Sequence, residues 1–156
     1  MRADNMLLEK VGPANLSECG IGCLTNRKNA GFQPKVEWLQ RCFTEGLRFL
    51  LFRDGEGRPL GFLEYVPGEH AWRPVDARGW LFVHCLWVYP SGQRIGGLGS
   101  RLIQACLEEA RQTRAIGVAA MVSDFGSSNR AWPGVEGHRA PERVRSPERA
   151  FLLWRL

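Results

Sequence analysis

A strand, a glycine-rich loop and a helix follow one another between residues 80 and 113, and this succession constrains the fold more than any other stretch. Residues 80–89 are almost continuously apolar, which is typical of a strand buried on both faces. Pro90 ends the run because proline cannot donate a ladder hydrogen bond. An amphipathic helix is predicted over 98–113, where apolar residues recur with helical spacing at Leu98, Leu102, Ile103, Ala105, Cys106 and Ala110.

A phosphate group suits this junction between strand and helix. The first helical amides have no partner inside the helix, and the helix dipole places partial positive charge there. Gly96, Gly97 and Gly99 let a ligand approach the backbone closely, and Arg94 adds a fixed positive charge. The residues therefore predict a diphosphate-binding loop.

Two common phosphate loops fit the spacing poorly. A Walker loop needs a lysine followed by serine or threonine, and none stands between Gly92 and Gly99. A dinucleotide-binding fingerprint needs its first glycine directly after the strand and a third glycine where the chain has Leu102. Asp124 lies roughly where that fingerprint keeps its ribose-binding acid, so a dinucleotide site stays open as an alternative.

A third pattern, Gln/Arg-x-x-Gly-x-Gly/Ala between a hydrophobic strand and a helix, is matched by Arg94-Ile95-Gly96-Gly97-Leu98-Gly99. With a further apolar strand at 116–122, the chain resembles the GNAT superfamily of acyl-CoA-dependent N-acetyltransferases over residues 5–125. The resemblance implies an α/β (α+β) fold, in which a mixed, mostly antiparallel central sheet is flanked by helices. It also implies acetyl-CoA as co-substrate, no metal, and an amine-bearing acceptor.

Family analogy also assigns the residues that bind the donor. The strand at 80–89 would carry a bulge, pair with the pantetheine arm and splay away from the strand at 116–122. Backbone amides of Leu86, Trp87 and Val88 would polarise the thioester carbonyl. The coenzyme diphosphate would lie on Arg94, Ile95, Gly96, Gly97, Leu98, Gly99 and Ser100.

Glu64 and His84 are the main candidates for assisting amine deprotonation, either directly or through water, and the loop residue His70 is a third. Imidazole titrates near neutrality, and burial can raise a carboxylate towards it. Each candidate has a plainer interpretation: His84 as a hydrogen-bonded core residue, and Glu64 as a side chain that points from a hairpin to solvent. Strand alternation places Cys85 on the opposite face from His84, which argues against a Cys–His nucleophile pair.

The segments before residue 80 predict the first half of the fold. They are a strand at 6–11, a helix opened by Pro34 and closed by Gly46, and a hairpin of 47–53 with 60–66. The loop at 67–79 is long enough to line an acceptor pocket.

Beyond Asp124 the family pattern fails, because residues 126–150 are rich in Arg, Pro, Gly and Ser with little apolar periodicity. We divide the chain into a GNAT-like acetyl-CoA-binding domain at 1–125 and a poorly ordered tail at 126–156, of which 151–156 could add one short strand. The C-terminal part of the fold is predicted to be incomplete, leaving the strand at 116–122 incompletely paired. We then expect self-association as a homo-oligomer and impaired activity. The alternative function is a non-catalytic acyl-CoA-binding or interaction module.

Composition narrows the class of protein and its partners. A chain of 156 residues with 44% hydrophobic content supports one core. The net charge of +5 suits a polyanionic coenzyme, and without a nucleic-acid motif no nucleic-acid partner is expected. Five cysteines without metal-site spacing indicate free thiols, and no apolar run is long enough to cross a membrane. We therefore expect a soluble, cytoplasmic protein without membrane association.

Overall fold

The computed structural model describes residues 6–73, 75–93, 95–122, 142–146 and 149–156. Its helices are α1 (Leu16–Cys19), α2 (Phe32–Thr44), α3 (Pro90–Gln93) and α4 (Leu98–Gln112). Its strands are β1 (Leu7–Val11), β2 (Arg48–Arg53), β3 (Pro59–Pro67), β4 (Leu81–Val88), β5 (Gly117–Val122), β6 (Glu142–Ser146) and β7 (Arg149–Arg155). None of the described helices is long and apolar enough to cross a membrane.

The described strands form one sheet of seven strands in the order β1-β2-β3-β4-β5-β7-β6. Neighbouring strands run antiparallel except for β4 and β5, which are parallel and joined by the crossover helix α4. The predicted mixed, mostly antiparallel sheet flanked by helices is therefore confirmed.

Helices cover both faces of the sheet because its central strands are apolar on both sides. On β2, for example, Leu50 belongs to the core cluster that packs against α4, whereas the adjacent Leu51 belongs to the cluster that packs against α2. The α4 helix buries its apolar stripe on the first face, with Leu102 and Leu107 fully buried. The α2 helix covers the second face with Leu39 and other buried residues.

A polar network fixes α4 to the sheet near the carboxyl end of the helix. The buried Tyr65 hydroxyl donates a hydrogen bond to Glu109 Oε2 at 2.7 Å. The other oxygen of Glu109 lies 3.1 Å from Arg48 Nε. These contacts join the carboxyl-terminal part of α4 to both β2 and β3.

The boundaries of α2 differ slightly from the prediction. The helix begins at Phe32, which makes Pro34 its third residue instead of its first. Proline is tolerated there because the first helical turn leaves its amides without intrahelical partners. Gly46, with φ of 90°, follows the end of the helix as predicted.

The C-terminal strands complete the sheet, contrary to the prediction of an incompletely paired strand at 116–122. β7 pairs with β5 over six residue pairs, and β6 pairs with β7. The physical reason lies in two alternate residues of β7, Leu152 and Trp154, which are 6% and 2% exposed in the core cluster under α4. The expected incompleteness of the C-terminal part therefore does not hold for these strands. The predicted absence of a closing helix and the predicted poor order of the tail fall largely on residues 123–141, which lie outside the described residues.

Candidate active site

A bulge interrupts β4 where it pairs with β3. Glu64 lies opposite Cys85, whereas the next residue of β3, Tyr65, lies opposite Val83. His84 is therefore the extra residue on β4, and the bulge that the family resemblance implied is present.

The bulge changes which face each side chain occupies. The His84 ring lies 5.8 Å from the rings of Phe82 and Trp38, on the face covered by α2. Cys85 packs against the core cluster of that same face. The prediction from simple alternation, that Cys85 and His84 lie on opposite faces, is wrong because a bulged residue breaks the two-residue period of the strand.

β4 and β5 separate next to this bulge. Their parallel ladder contains three residue pairs, Leu81–Val118, Phe82–Ala119 and Val83–Ala120. β5 continues to Val122 in its pairing with β7, and β4 continues to Val88 in its pairing with β3. The sheet therefore splits between its two central strands, as expected, and the split opens towards the glycine loop.

The glycine loop presents backbone amides at the open end of the split. Gly96 and Gly97 have φ of 70° and 64°, which favours glycine, and a Cβ on either would meet nothing within 4 Å. Gly97 caps α4 without a side-chain hydrogen bond, and the helical bond from Arg101 N–H to the Gly97 carbonyl follows at 3.0 Å. The amides of Leu98 to Ser100 precede Arg101 in the first turn and therefore have no acceptor within the helix.

The loop also contacts β4 directly. A Cβ on Gly99 would lie 3.7 Å from the Leu86 side chain and 3.8 Å from that of Val88, so helix and strand are in ordinary van der Waals range. Ile95 N–H donates to the Gly92 carbonyl at 3.0 Å. Trp87 is 51% exposed, whereas Leu86 and Val88 pack against the core under α4. Arg94, predicted to bind the diphosphate, lies outside the described residues.

Glu64 is buried, so its interpretation as a solvent-facing hairpin residue is wrong. The residue is 1% exposed, and its Oε2 lies 2.8 Å from Lys35 Nζ on α2. Within the described residues, Glu64 Oε1 has no hydrogen-bond partner. Burial raises the pKa of the Glu64 carboxyl above its ordinary value, and the positive charge of Lys35 opposes this rise.

His84 lies in an aromatic environment. Besides Phe82 and Trp38, the ring of Trp72 lies 5.7 Å away, and the Trp72 amide donates to His84 Nε2 at 3.5 Å. Its Nδ1 is buried without a hydrogen-bond partner among the described residues. Burial, together with the charges of Lys35 and Arg73, lowers the pKa of His84 to about 3. The imidazole is therefore neutral at neutral pH and a weak base.

Neither of the two tyrosines in the sequence is an easily available acid. The Tyr65 hydroxyl is occupied by Glu109, and burial raises its pKa. The Tyr89 hydroxyl donates to the Gly22 carbonyl at 2.8 Å, and burial raises its pKa to about 12. Burial likewise raises the pKa of the Cys85 thiol to about 12, so Cys85 is not an activated nucleophile.

Sequence reasoning missed the contribution of α2 to this site. The predicted helix opened by Pro34 was given no role in the site, yet the Lys35 ammonium on this helix reaches Glu64 and lies 4.2 Å from the centre of the Trp38 ring. Two signals were available in the sequence. Lys35 precedes the buried Leu39 and Cys42 by four and seven residues, so helical spacing places it on the face that packs against the sheet. Glu64 is an acidic residue inside an otherwise apolar strand.

A cavity of about 410 Å³ lies beside Glu64. Gly22 lines this cavity, and a Cβ built on Gly22 would lie 2.9 Å from the Phe62 ring and 3.3 Å from Glu64 Oε1, so Glu64 lies behind the cavity wall at Gly22. The other lining residues come mainly from α1, the α1–α2 loop and α2, with Tyr89 at the end of β4. No group of three or more metal-ligating side chains occurs among the described residues.

A split between two parallel central strands, a bulge at the split and a glycine loop at a helix N-terminus are the features that the resemblance to GNAT proteins implied. Comparison with known families agrees: the profile of the Acetyltransferase (GNAT) family matches residues 21–131, and the chain belongs to this family.

The similarity to individual curated proteins extends over only part of each protein. The chain is 31% identical over 100 residues to the uncharacterized N-acetyltransferase YoaP of Bacillus subtilis, covering 62% of this chain and 38% of that protein. It is 34% identical over 98 residues to the L-methionine sulfoximine/L-methionine sulfone acetyltransferase of Pseudomonas aeruginosa, covering 63% of this chain and 52% of the relative. The chain thus spans about half, or less, of the length of these curated relatives.

A solved structure supports the same fold. The Salmonella typhimurium protein yncA, determined with its cofactor acetyl-CoA, has a TM-score of 0.63 to this chain at 17% identity. The alignment covers 97% of this chain and 93% of yncA.

Proposed function

We propose that this protein is an N-acetyltransferase that moves an acetyl group from acetyl-CoA to an amine. The observation that carries the proposal is the split of the sheet: the β4–β5 ladder ends at Val83–Ala120, beside the His84 bulge. The split leads to a helix N-terminus without a side-chain cap. An extended arm with an acyl thioester at one end and a diphosphate at the other matches this arrangement.

The donor would be bound mainly by the main chain. The open space at Gly96 and Gly97 accommodates a diphosphate, and the amides that precede Arg101 supply its donors. Arg94 is assigned to the same role by family resemblance. The main chain of Leu86, Trp87 and Val88 would bind the pantetheine arm and polarise the thioester carbonyl, because these residues follow the bulge along the open edge.

Acetyl transfer needs a neutral amine. In the proposed reaction the acceptor ammonium gives one proton to Glu64, directly or through water, and its nitrogen then forms a bond to the acetyl carbon. The carbon–sulfur bond breaks, and a second proton passes from nitrogen to the thiolate, since neither Tyr65 nor Tyr89 is available as an acid. Glu64 is preferred over His84 as the base because the lowered pKa of His84 makes imidazole a poor proton acceptor.

The acceptor is an amine of unidentified structure. The cavity beside Gly22 could hold a small molecule, since its volume of about 410 Å³ falls within the usual range for ligand pockets. The Pseudomonas relative is named for derivatives of L-methionine, so amino acids belong in the first acceptor panel.

Calorimetry with acetyl-CoA tests the donor site. Gly97→Glu places a carboxylate where the diphosphate would bind and strains a residue with φ of 64°. We expect at least about a tenfold loss of affinity, equivalent to about 1.4 kcal/mol. Gly46→Glu is the matched control, because Gly46 has φ of 90° and lies between α2 and the start of β2, at the end of the sheet opposite to the glycine loop. Equal affinity in wild type and Gly97→Glu, or no binding by wild type, would contradict the proposal.

Turnover is measured separately as thiol release over a panel of amines. Acetyl-CoA binding without turnover on any amine would favour the alternative, a non-catalytic acyl-CoA-binding module. The prediction of impaired activity rested on an unpaired β5, and the β5–β7 pairing removes that reason. Self-association, cytoplasmic location and the expected lack of nucleic-acid or membrane partners stay predictions.

A further inference from the structure

The contact between Lys35 and Glu64 joins a surface helix to the interior of the sheet. The Lys35 side chain on α2 is 23% exposed, whereas the Glu64 side chain on β3 is 1% exposed. Their 2.8 Å contact occupies Oε2 alone, so the second carboxylate oxygen is held in place without a partner among the described residues. The Trp38 ring, 4.2 Å from the ammonium, holds Lys35 from another side.

A purely structural explanation of this pair is weak. Removing two charges from water costs free energy that a single good contact barely offsets, and apolar residues of similar size often serve stability equally well. A buried carboxylate with one unfilled oxygen adds a further cost. Glu64 also lies directly opposite Cys85, next to the bulge at which β4 and β5 begin to separate. Its position thus coincides with the proposed reaction site.

We propose that Lys35 is a positioning residue that keeps Glu64 ionised at neutral pH and leaves Oε1 as the oxygen that accepts the proton of the acceptor amine. The inference rests on the proposed acetyltransferase function and adds a residue that acts through Glu64 without touching the substrate.

The other groups around Glu64 do not replace Lys35. Among the described residues, the other titratable side chains that interact electrostatically with Glu64 are Cys42 on α2, Cys85 on β4 and Tyr89 after β4. Burial raises the pKa of each of them, so all three are neutral at neutral pH and supply no positive charge. His84, also near Lys35, has its pKa lowered to about 3 and is neutral as well. Without Lys35, desolvation would therefore act on the Glu64 carboxyl unopposed.

The direct test is a carbon-13 NMR titration of the Glu64 carboxyl carbon, assigned by its absence in Glu64→Gln. Removing a neighbouring opposite charge typically raises a carboxyl pKa by about 1 to 3 pH units. We expect the Glu64 titration in Lys35→Met to move to higher pH by that amount. Lys35→Arg retains the charge and should titrate close to wild type. Lys28→Met, in the exposed α1–α2 loop, is the matched control and should leave the titration unchanged.

Superposed titration curves for wild type and Lys35→Met would overturn the proposal. Circular dichroism checks that each variant is folded, and Lys35→Gln is the second neutral variant if Lys35→Met does not fold. For an amine that the panel identifies, the acid limb of the kcat/KM–pH profile of Lys35→Met should move to higher pH by the same amount as the carbon-13 titration. Failure of the acetyltransferase proposal would instead appear as no acetylated product from wild type on any amine, whatever the titrations show.

Discussion

Trp154→Ala tests whether β7 is an integral part of the fold. Trp154 is 2% exposed, pairs with Val118 of the central β5 strand and belongs to the core cluster under α4. A buried tryptophan removes about 150–250 Å² from water, which at about 25 cal/mol per Å² is worth roughly 4–6 kcal/mol as an upper bound. Measured tryptophan-to-alanine changes in cores cost about 3–5 kcal/mol, so we expect a loss of about 3–5 kcal/mol in the free energy of unfolding.

The assay is equilibrium urea unfolding followed by circular dichroism, because removing a tryptophan alters the fluorescence signal itself. Leu156→Ala is the matched control: Leu156 is 48% exposed two residues further on, and its replacement should cost no more than about 0.5 kcal/mol. Gly117→Ala provides an independent check, since the new Cβ would collide with the Trp154 carbonyl oxygen if β7 is docked. A loss below about 1 kcal/mol for Trp154→Ala, with Gly117→Ala tolerated, would refute the docking of β7.

Further predictions concern stability. The folded-state pKa of His84 is about 3 against an ordinary 6.5, so as pH falls below about 6.5 the unfolded chain takes up the proton first. Above that pH, the neutral ring contributes its full stabilisation. Below it, the free energy of unfolding decreases by at most about 1.4 kcal/mol per pH unit, and by less than this because the ring is partly exposed. In urea unfolding at several pH values, the free energy of unfolding of His84→Gln should depend less on pH than that of wild type. An identical pH dependence would contradict this prediction. Tyr65→Phe removes the hydrogen bond to Glu109 and should cost about 1.5–3 kcal/mol in urea unfolding, whereas an unchanged midpoint would show that the contact is not formed. Gly92→Ala drives a Cβ into the Leu60 carbonyl oxygen and should lower the Tm and the acetyl-CoA affinity together, and unchanged values of both would refute this close approach.

Local sequence signals predicted the centre of the fold well. The strand, glycine loop and helix from β4 to α4 each carry their own signal: a continuous apolar run, two positive-φ glycines and a helical stripe. These features depend on neighbours within a few residues, so the sequence reports them directly. The predicted helix at 98–113 ends one residue later than α4, which ends at Gln112.

Features that depend on distant parts of the chain were predicted poorly. β7 has only a short apolar run, and its strand character comes from pairing with β5, about thirty residues earlier. The shared face of His84 and Cys85 depends on which residue of β4 is the extra one in its pairing with β3, and neither strand alone specifies that register. The Lys35–Glu64 pair required the packing of α2 on β3: helical spacing with the buried Leu39 and Cys42 places Lys35 on the sheet-facing side of α2, but it does not say which strand residue Lys35 meets.

The short ladder between β4 and β5 has a consequence for how such a chain tolerates mutation. A ligand that enters between the two strands and pairs with their main chain becomes, in effect, an extra strand of the sheet. The groups that recognise it are then amides and carbonyls, which every residue except proline possesses in full. Replacement of Trp87, the exposed side chain of this edge, would therefore leave such main-chain contacts in place, whereas Leu86 and Val88 are constrained by their packing under α4. A proline introduced along this edge of β4, or a shift of the bulge, should accordingly weaken the proposed donor binding more than a replacement of the Trp87 side chain.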